Sequence, residues 1–255
     1  MPELSVVIPA YNEEHRLPST LESVHRFLIT RGRPFEIVVV NDGSKDNTAG
    51  VVEVFASHHE CVRLLTYADN QGKGHAVRTG VLAAKGELVL INDADGSSPI
   101  EELERLVTAI DAGADVAIGS RAKPDDSRVV KALAYRKYMG NTFNTIVQSL
   151  LLPGIMDTQC GFKLFKAGVG REIFSLSRLD GYAFDVEVLY IAKIKGYKIA
   201  EVPIHWANVA GSKVNMIVDS LRMLLEVLSI KFAALTGKYN KEANKQRSSD
   251  DSLSA

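Results

Sequence analysis

The chain has 255 residues, of which 46% are hydrophobic and 24% are charged, and its formal net charge is −1. This length accommodates one large α/β domain or two small ones, with the composition of an ordinary globular protein. A net charge near zero excludes the strong basic field typical of nucleic-acid binding, so we expect no nucleic-acid partner. The N-terminus lacks a basic region followed by an apolar stretch, and no apolar run reaches 18 residues. We therefore expect neither a signal peptide nor a spanning helix.

Short β-branched segments alternate with helical patterns through the first half of the chain. The predicted strands are Leu4–Ile8, Glu36–Val40, Val62–Leu65, Leu88–Ile91 and Val116–Ile118. The predicted helices lie near Glu13–Thr30, Asp46–Ser57, Gly74–Ala84 and Ile100–Ala112. The strands are almost continuously apolar, which is typical of a sheet that helices cover on both faces. This β-α-β-α order predicts a parallel sheet with right-handed crossovers.

The second half of the chain is less regular. We expect a helix over residues 131–152, a strand over Gly161–Phe165, a helix over Tyr182–Lys195 and an edge strand over Ile199–Val202. Residues 240–255 are polar and serine-rich, which predicts a disordered tail. Cys61 and Cys160 form no CxxC motif, and we expect both as reduced thiols in a cytosolic protein.

Residues 216–236 form an amphipathic pattern. The apolar stripe comprises Ile217, Leu221, Leu224, Leu228, Phe232 and Leu235. Charged residues such as Asp219 and Lys231 interrupt this segment, so it does not read as a membrane span. Two interpretations are open: a helix packed on the core or in a dimer, or a helix lying in a membrane interface.

Two carboxylates, Asp93 and Asp95, follow the apolar run Leu88–Ile91. Ligands of open α/β sheets bind at the carboxyl ends of strands, and hard carboxylate oxygens are ligands that Mg²⁺ or Mn²⁺ prefers. Carboxylates after a strand also cap helices, so the tripeptide alone is a weak signal. Its position at the end of a buried strand favours a metal site that keeps positions open for phosphate oxygens.

Polar clusters also end the first and second predicted strands, at residues 9–14 and 41–44. In a nucleotide pocket Tyr11 would stack on the base, and Asp42 would accept hydrogen bonds from base or ribose. Each cluster alone is more simply a turn or a helix cap. Together with Asp93 and Asp95, three clusters at the same edge of one sheet favour a nucleotide pocket.

Two cationic positions are candidates for phosphate binding. Lys73 lies in a glycine-flanked loop that lacks the P-loop spacing, and it either contacts phosphate or ribose or simply precedes a helix. Arg121 closes the fifth strand, and Arg136 lies in the basic stretch Lys131–Lys137. Arginine binds phosphate bidentately, whereas the lysines of that stretch are more simply a solvated helix face.

These residues together resemble the family 2 glycosyltransferases of the GT-A fold, specifically the polyprenyl-phosphate glycosyltransferases. The resemblance covers about Leu4 to Lys213 and rests on an ordered set of motifs: residues 7–13, 40–44, 70–74, 93–95, 119–121, 157–163 and 211–213. Two segments, Asp157–Lys163 and Val202–Trp206, are similar to the dolichyl-phosphate β-glucosyltransferase branch. The fold implied is a Rossmann-like, mostly parallel sheet flanked by helices.

The resemblance implies a role for each matched residue. Nucleotide-sugar binding would fall to Pro9, Tyr11, Glu13, Asp42, Lys73, Asp93 and Ala94. Asp93 and Asp95 would hold the metal, Mg²⁺ or Mn²⁺, on the donor diphosphate. Arg121, Arg136 and Lys213 would contact the lipid phosphate or the donor diphosphate. Asp157 would assist or orient, or would be structural.

The implied reaction is a single inverting transfer of glucose from UDP-glucose to polyprenyl (dolichyl) phosphate. The acceptor phosphate is already mostly anionic near neutral pH, so no strong general base is needed. The alternatives are GDP-mannose as donor, a soluble acceptor, or a non-catalytic subunit that binds nucleotide-sugar or lipid. We expect one domain over residues 1–239, with a nucleotide-binding half at about 1–122 and an acceptor half at about 123–239. It would be peripheral at the cytoplasmic face of a membrane, alone, as a homodimer or with a membrane-protein partner.

Overall fold

The computed structural model describes residues 1–123, 125, 130–131, 143–209 and 216–239. The strands are β1 Leu4–Ala10, β2 Phe35–Asp42, β3 Val62–Tyr67, β4 Leu88–Asn92, β5 Val116–Ser120, β6 Val130–Lys131, β7 Phe162–Lys166, β8 Ile199–Pro203 and β9 Trp206–Ala207. The helices are α1 Leu17–Arg31, α2 Thr48–His58, α3 Lys73–Ala83, α4 Leu103–Asp111, α5 over residues 143–150, α6 Ala167–Leu176, α7 Phe184–Ile194 and α8 Met216–Leu235. A 3₁₀ turn, Ile100–Glu102, precedes α4.

Seven strands form one sheet in the order β3-β2-β1-β4-β7-β5-β8. Strands β1 to β4 pair in parallel, as do β5 and β8. Strand β7 is antiparallel to both of its neighbours, β4 and β5. Strands β6 and β9 form a separate parallel pair. The prediction of a mostly parallel sheet flanked by helices is confirmed, and so is the edge position of β8.

The apolar core lies on both faces of the sheet. Along β1 the side chains alternate, so that Val6 and Ile8 join the cluster beneath α1 and α4, whereas Val7 joins the cluster beneath α3 and α6. Every residue of β1 is buried. This burial explains why the strand sequences are almost continuously apolar, because neither face meets water.

The reversed direction of β7 is the main departure from the predicted parallel sheet. Phe162 pairs with Asn92, so β7 begins where β4 ends. The segment that precedes β7 therefore reaches the same edge of the sheet as Asp93 and Asp95. This arrangement gives the second half of the chain access to the carboxyl ends of the parallel strands.

Several boundaries in the second half differ from the sequence prediction. The helix expected over residues 131–152 is wrong at Lys131, which lies in strand β6, and is found at α5. Helix α6 and strand β9 were not predicted. The expected tail over residues 240–255 lies outside the described residues, as do Arg136 and Lys213. Cys61 and Cys160 are both free thiols, in agreement with the prediction.

Helix α8 has two apolar faces. Met223, Val227 and Ile230 are buried in the core cluster that contains α7. The other face, which we call the exposed stripe, comprises Leu225, Leu228, Phe232 and Leu235, each more than half exposed. The helix is thus packed on the core, as one interpretation held, and still presents an apolar face to solvent. None of the helices in the described part of the chain combines the length and apolar character that a bilayer crossing requires.

Candidate active site

A cavity of about 550 Å³ opens at the carboxyl ends of β1, β2 and β4. Its lining comprises Pro9, Ala10, Tyr11, Glu13, Arg16, Asp42, Asn70, Gln71, Gly72, Lys73, Ala76, Asp93, Ala94, Asp95, Asp180, Gly181, Tyr182, Arg222, Met223 and Glu226. The strand ends supply one side of the cavity because parallel strands finish at the same edge. The loop between α6 and α7 (residues 177–183, the roof loop) and helix α8 contribute the other side.

The turns after β1 and β2 are joined by side-chain hydrogen bonds. The Asn12 amide donates to Ser44 Oγ over 3.0 Å, and the Lys45 amide donates to Asn12 Oδ1 over 2.7 Å. Asn12 has a φ of 53°, in the left-handed region that asparagine tolerates better than most residues. These bonds fix the backbone on either side of Tyr11 and Glu13.

Asp42 organises the loop before α3. Its carboxylate accepts hydrogen bonds from the Gln71 amide (2.8 Å), the Gly72 amide (2.9 Å) and Asn70 Nδ2 (2.8 Å). Asp42 is buried, and it lines the cavity. The carboxylate therefore fixes the turn that leads into Lys73.

Lys73 and Asp93 form an ion pair at the cavity wall. The distance from Lys73 Nζ to Asp93 Oδ1 is 2.7 Å. Burial alone would lower the pKa of Lys73, but the charges of Asp93 and Asp185 raise it well above its ordinary value. Both side chains keep part of their surface exposed, 25% for Lys73 and 30% for Asp93. The pair is thus accessible from the cavity.

Asp93 lies directly over Gly161, the residue before β7. A Cβ atom at Gly161 would overlap the Asp93 carboxylate, so only glycine leaves room for it. Asp95 accepts a hydrogen bond from the Ser97 amide at 2.9 Å. Thr20 of α1 donates to the Ala94 carbonyl at 2.9 Å. These contacts hold Asp93-Ala94-Asp95 in one conformation.

Arg16 is a cavity residue that the sequence analysis did not single out. Its Nε donates to Glu13 Oε2 at 2.6 Å, across three residues of the turn before α1. The hydrogen bond to Glu13 raises the pKa of Arg16, and the charges of Asp95 and Asp93 act in the same direction. Glu13 is mostly buried, and the positive charge of Arg16 compensates its negative charge.

Arg121 and Asp157 form a second ion pair, away from the cavity lining. Arg121 Nε donates to Asp157 Oδ2 at 2.7 Å, Nη2 donates to Oδ1 at 2.8 Å, and the Arg121 amide donates to Oδ2 at 2.9 Å. Burial alone would raise the pKa of Asp157, but the charge and hydrogen bonds of Arg121 lower it. The guanidinium also lies 5.4 Å from the centre of the Trp206 ring.

A third charged pair is fully buried behind Asp93. Lys163 of β7 donates to Asp185 of α7 and to the Cys160 carbonyl. Burial raises the pKa of Asp185, although the charges of Lys163 and Lys73 oppose the shift. Burial, followed by the charge of Asp157, raises the pKa of Cys160 to about 11. The Lys73–Asp93 pair at the cavity wall is thus backed by a second pair of opposite charges, Lys163 and Asp185, inside the protein.

The roof loop is held by a buried carboxylate. Glu187 of α7 accepts hydrogen bonds from the Arg178 and Leu179 amides, both at 2.9 Å. Tyr239, just beyond α8, donates to the same carboxylate at 2.8 Å. The Gly74 amide in turn donates to the Asp180 carbonyl at 2.7 Å. The roof loop is thus tied to α3, α7 and the end of α8.

Most of the predicted site residues come together. The cavity lining includes Pro9, Tyr11, Glu13, Asp42, Lys73, Asp93, Ala94 and Asp95. Arg121 and Asp157 contact each other and do not line the cavity. Neither the roof loop nor the polar residues of α8 are predicted as site residues from the sequence. Arg222 and Glu226 are one helical turn apart, a spacing that signals a side-chain pair.

The two carboxylates that the sequence predicts as metal ligands, Asp93 and Asp95, both line the cavity. Within the described residues, no group of three or more histidine, cysteine, aspartate or glutamate side chains is arranged to hold a metal. Asp93 and Asp95 provide hard oxygen ligands at the cavity. Their number and type fit a Mg²⁺- or Mn²⁺-class ion that takes its remaining ligands from phosphate and water.

The fold is shared with solved glycosyltransferases. A Mycobacterium tuberculosis glucosyl-3-phosphoglycerate synthase, solved with Mn²⁺, UDP-glucose and phosphoglyceric acid, superposes with a TM-score of 0.69 at 20% identity, covering 90% of this chain and 79% of that one. A mannosyl-3-phosphoglycerate synthase from Rubrobacter xylanophilus gives a TM-score of 0.68 at 19% identity, covering 94% and 76%. The fold, with its cavity at the strand ends, is that of the GT-A glycosyltransferases.

Sequence similarity is more specific. Residues 5–174 match the model of glycosyl transferase family 2, and the chain belongs to this family. A dolichyl-phosphate beta-glucosyltransferase of Saccharomyces cerevisiae is 39% identical, with 92% of this chain and 76% of the relative covered. Relatives of the same name from Dictyostelium discoideum and Homo sapiens are 37% and 35% identical, covering 92% and 96% of this chain and 75% and 79% of theirs.

Proposed function

We propose that the protein transfers glucose from UDP-glucose to a polyprenyl phosphate, dolichyl phosphate, in a single inverting displacement. The observation that carries this proposal is the cavity containing Asp93 and Asp95, in a chain 35–39% identical to relatives named dolichyl-phosphate beta-glucosyltransferase. The alignment with each of these relatives covers at least nine-tenths of this chain.

The donor would lie along the strand ends. Tyr11, Pro9 and Glu13 would contact the nucleotide, beside the turn that Asp42 fixes. Lys73, Asp93 and Ala94 would face the diphosphate and sugar. Carboxylates alone would repel a diphosphate, so this wall needs positive charge. Lys73 provides one such charge, 2.7 Å from Asp93.

Asp93 and Asp95 would hold Mg²⁺ or Mn²⁺, since both are carboxylates and both line the cavity. Such an ion neutralises the charge that develops on the leaving diphosphate. The Mn²⁺ and UDP-glucose in the mycobacterial structure support this assignment by analogy of fold.

The acceptor phosphate would be bound by Arg121, Arg136 and Lys213. Asp157 orients Arg121 through two side-chain hydrogen bonds, and we propose that this is its role in the reaction. The acceptor is already anionic near neutral pH, so the protein must overcome repulsion between two anions rather than remove a proton. Positioning by fixed cations serves that purpose.

A lipid acceptor requires a membrane surface. We propose that the exposed stripe of α8 lies on the cytoplasmic face of a membrane, because a helix with an apolar face can rest in the interface. The two free thiols fit the reducing side of that membrane. A homodimer or a membrane-protein partner would cover the same stripe. Phe232→Ser with Leu235→Ser should then abolish flotation with vesicles if the lipid surface is the partner.

The test is a donor panel with purified protein, Mg²⁺ or Mn²⁺, and dolichyl phosphate in detergent, following labelled sugar into the organic phase. UDP-glucose alone should label the lipid. Label from GDP-mannose would instead assign the mannosyl branch of the family. Transfer only to water-soluble acceptors, or no transfer at all, would overturn the lipid-acceptor proposal. Glu53→Gln, on the exposed surface of α2, is a matched control for carboxylate substitutions.

A further inference from the structure

Glu226 of helix α8 places a carboxylate at the cavity wall, and the sequence gives this residue no predicted role. Glu226 and Arg222 both line the cavity and are paired, with 3.2 Å between Arg222 Nε and Glu226 Oε1. The Glu226 side chain is 16% exposed, whereas Arg222 is 71% exposed. The pair therefore places the carboxylate inward and the guanidinium outward.

Only one oxygen of this carboxylate is used by the protein. Oε1 accepts from Arg222, whereas Oε2 is buried and has no hydrogen-bond partner among the described residues. A buried acceptor without a donor is costly, so in a folded protein it calls for a partner such as a water molecule, an ion or a ligand. The geometry thus leaves one oriented acceptor on the cavity wall.

The adjacent roof loop packs closely on this carboxylate. Gly181 is the neighbouring residue, and a Cβ atom there would lie 3.1 Å from Oε1 and 3.4 Å from Oε2. Any larger residue at position 181 would crowd the carboxylate from the side of the roof loop. Glycine at this position therefore lets the roof loop approach the carboxylate without displacing it from the cavity wall.

The chemistry of the donor narrows what Glu226 can bind. The diphosphate offers no proton to donate at neutral pH, and its charge is negative like that of Glu226. The diphosphate is therefore excluded as the hydrogen-bond partner of Glu226. The base and ribose are expected beside Tyr11 and the turn after β2, whereas Glu226 comes from α8 on the other side of the cavity. The hydroxyl groups of the sugar are the remaining uncharged donors. Arg222 offsets the negative charge that the carboxylate brings near the diphosphate.

We propose that Glu226 accepts a hydrogen bond from a hydroxyl group of the transferred sugar and so contributes to donor selection. This inference rests on the proposed function, because it takes the cavity as the nucleotide-sugar site. A charged acceptor that is itself mostly buried discriminates strongly against a sugar that lacks the matching hydroxyl.

The experiment compares the affinities of UDP and UDP-glucose, measured by calorimetry with Mn²⁺, for the wild type and for Glu226→Gln and Glu226→Ala. Glu226→Ala should weaken UDP-glucose binding about 10- to 100-fold, and Glu226→Gln should weaken it less, because the amide oxygen still accepts. UDP affinity should stay unchanged in both variants. The control Glu53→Gln should bind both ligands as the wild type does.

UDP-glucose analogues deoxygenated at each sugar carbon in turn identify the hydroxyl. For the analogue that lacks the partner of Glu226, wild type and Glu226→Ala should bind equally well, as in a double-mutant cycle. An equal loss of UDP and UDP-glucose affinity would overturn the inference, because Glu226 would then contact the nucleotide. Unchanged UDP-glucose affinity in Glu226→Ala would overturn it as well.

These outcomes are separable from the fate of the proposed function. If the wild type binds GDP-mannose and not UDP-glucose, the proposed donor is wrong. The ratio of GDP-mannose to GDP affinity then tests Glu226 in the same way. If the wild type binds UDP-glucose and the variants do not differ from it, the proposed donor stands and the role of Glu226 falls.

Discussion

The Lys73–Asp93 pair and the Arg121–Asp157 pair join an aspartate to a cation near strand ends, yet they are built differently. Lys73 and Asp93 share a contact of 2.7 Å, and both line the cavity. Asp157 is almost fully buried and accepts three hydrogen bonds from Arg121. The first pair can exchange partners when a ligand arrives, whereas the second is fixed by its geometry. A pair near a site is therefore informative only once its burial and its hydrogen bonds are known.

This comparison predicts that the two aspartates fail in different ways. Asp157→Ala should lower the free energy of unfolding by about 3 kcal/mol, because it removes a buried carboxylate that accepts three hydrogen bonds from Arg121. Asp93→Ala should cost about 1 kcal/mol or less, because Asp93 is partly exposed and its pair is solvated. Urea denaturation followed by circular dichroism measures both. Equal losses in the two variants would remove the distinction.

The pH dependence of stability should also distinguish the Arg121–Asp157 pair from the Lys73–Asp93 pair. The pKa of Asp157 is lowered in the folded state, so its stabilising contribution is present above the unfolded pKa, about 3.9, and is lost as the pH falls through the folded value. The difference in unfolding free energy between wild type and Asp157→Ala should therefore be constant at neutral pH and shrink below about pH 4. A difference that stayed constant down to pH 2 would contradict this assignment.

Activity should depend most directly on the open pair. Asp93→Asn should lower kcat for lipid glucosylation about 100-fold or more, which is the usual cost of removing one electrostatic contact to a transition state. Its melting temperature should stay within a few degrees of the wild type. The labelled-sugar assay described above measures the rate. Near-normal kcat in Asp93→Asn would place the reaction elsewhere on the protein.

A substitution that leaves both residues of the Lys73–Asp93 pair in place should still displace the Asp93 carboxylate. Gly161→Ala places a methyl group against the Asp93 carboxylate, and we expect about a 10-fold loss of kcat. Gly168→Ala in α6 is the matched control, because a Cβ there meets no atom of the described residues within 4 Å. It should keep full activity and gain up to about 1 kcal/mol of stability. Loss of activity in both variants would indicate a general effect of replacing glycine.

The smallest effect concerns the thiol of Cys160, whose carbonyl accepts a hydrogen bond from Lys163. With a pKa raised to about 11, Cys160 should be thiolate in only about one molecule in a thousand at pH 8. Cys61 is partly exposed. Iodoacetamide at pH 8 should therefore modify Cys61 first, as mass spectrometry of the peptides would show. Faster labelling of Cys160 would mean that this region opens in solution.

The sequence predicts the first half of the molecule better than the second, for a physical reason. Asp42 ends a buried strand, and Asp93 and Asp95 come just after the end of another, so local pattern and position in the sheet carry the same information. Arg121 and Asp157 are 36 residues apart, and no local pattern relates them. Helix α6 was missed because its sequence begins Ala-Gly-Val-Gly, and glycine is a poor helix former. The roof loop is defined by tertiary contacts with Glu187, which only the fold reveals.

The antiparallel course of β7 couples the alignment of two distant segments to the geometry of the site. The pairing of Asn92 with Phe162 fixes both where β7 starts and which of its side chains join each of the two core clusters. A one-residue insertion inside β7 would turn its side chains to the opposite faces and carry Gly161 away from Asp93. An insertion between Pro153 and Met156 would leave that pairing intact. In families of such chains, length variation should therefore accumulate before Asp157 and be excluded from the strand that follows it.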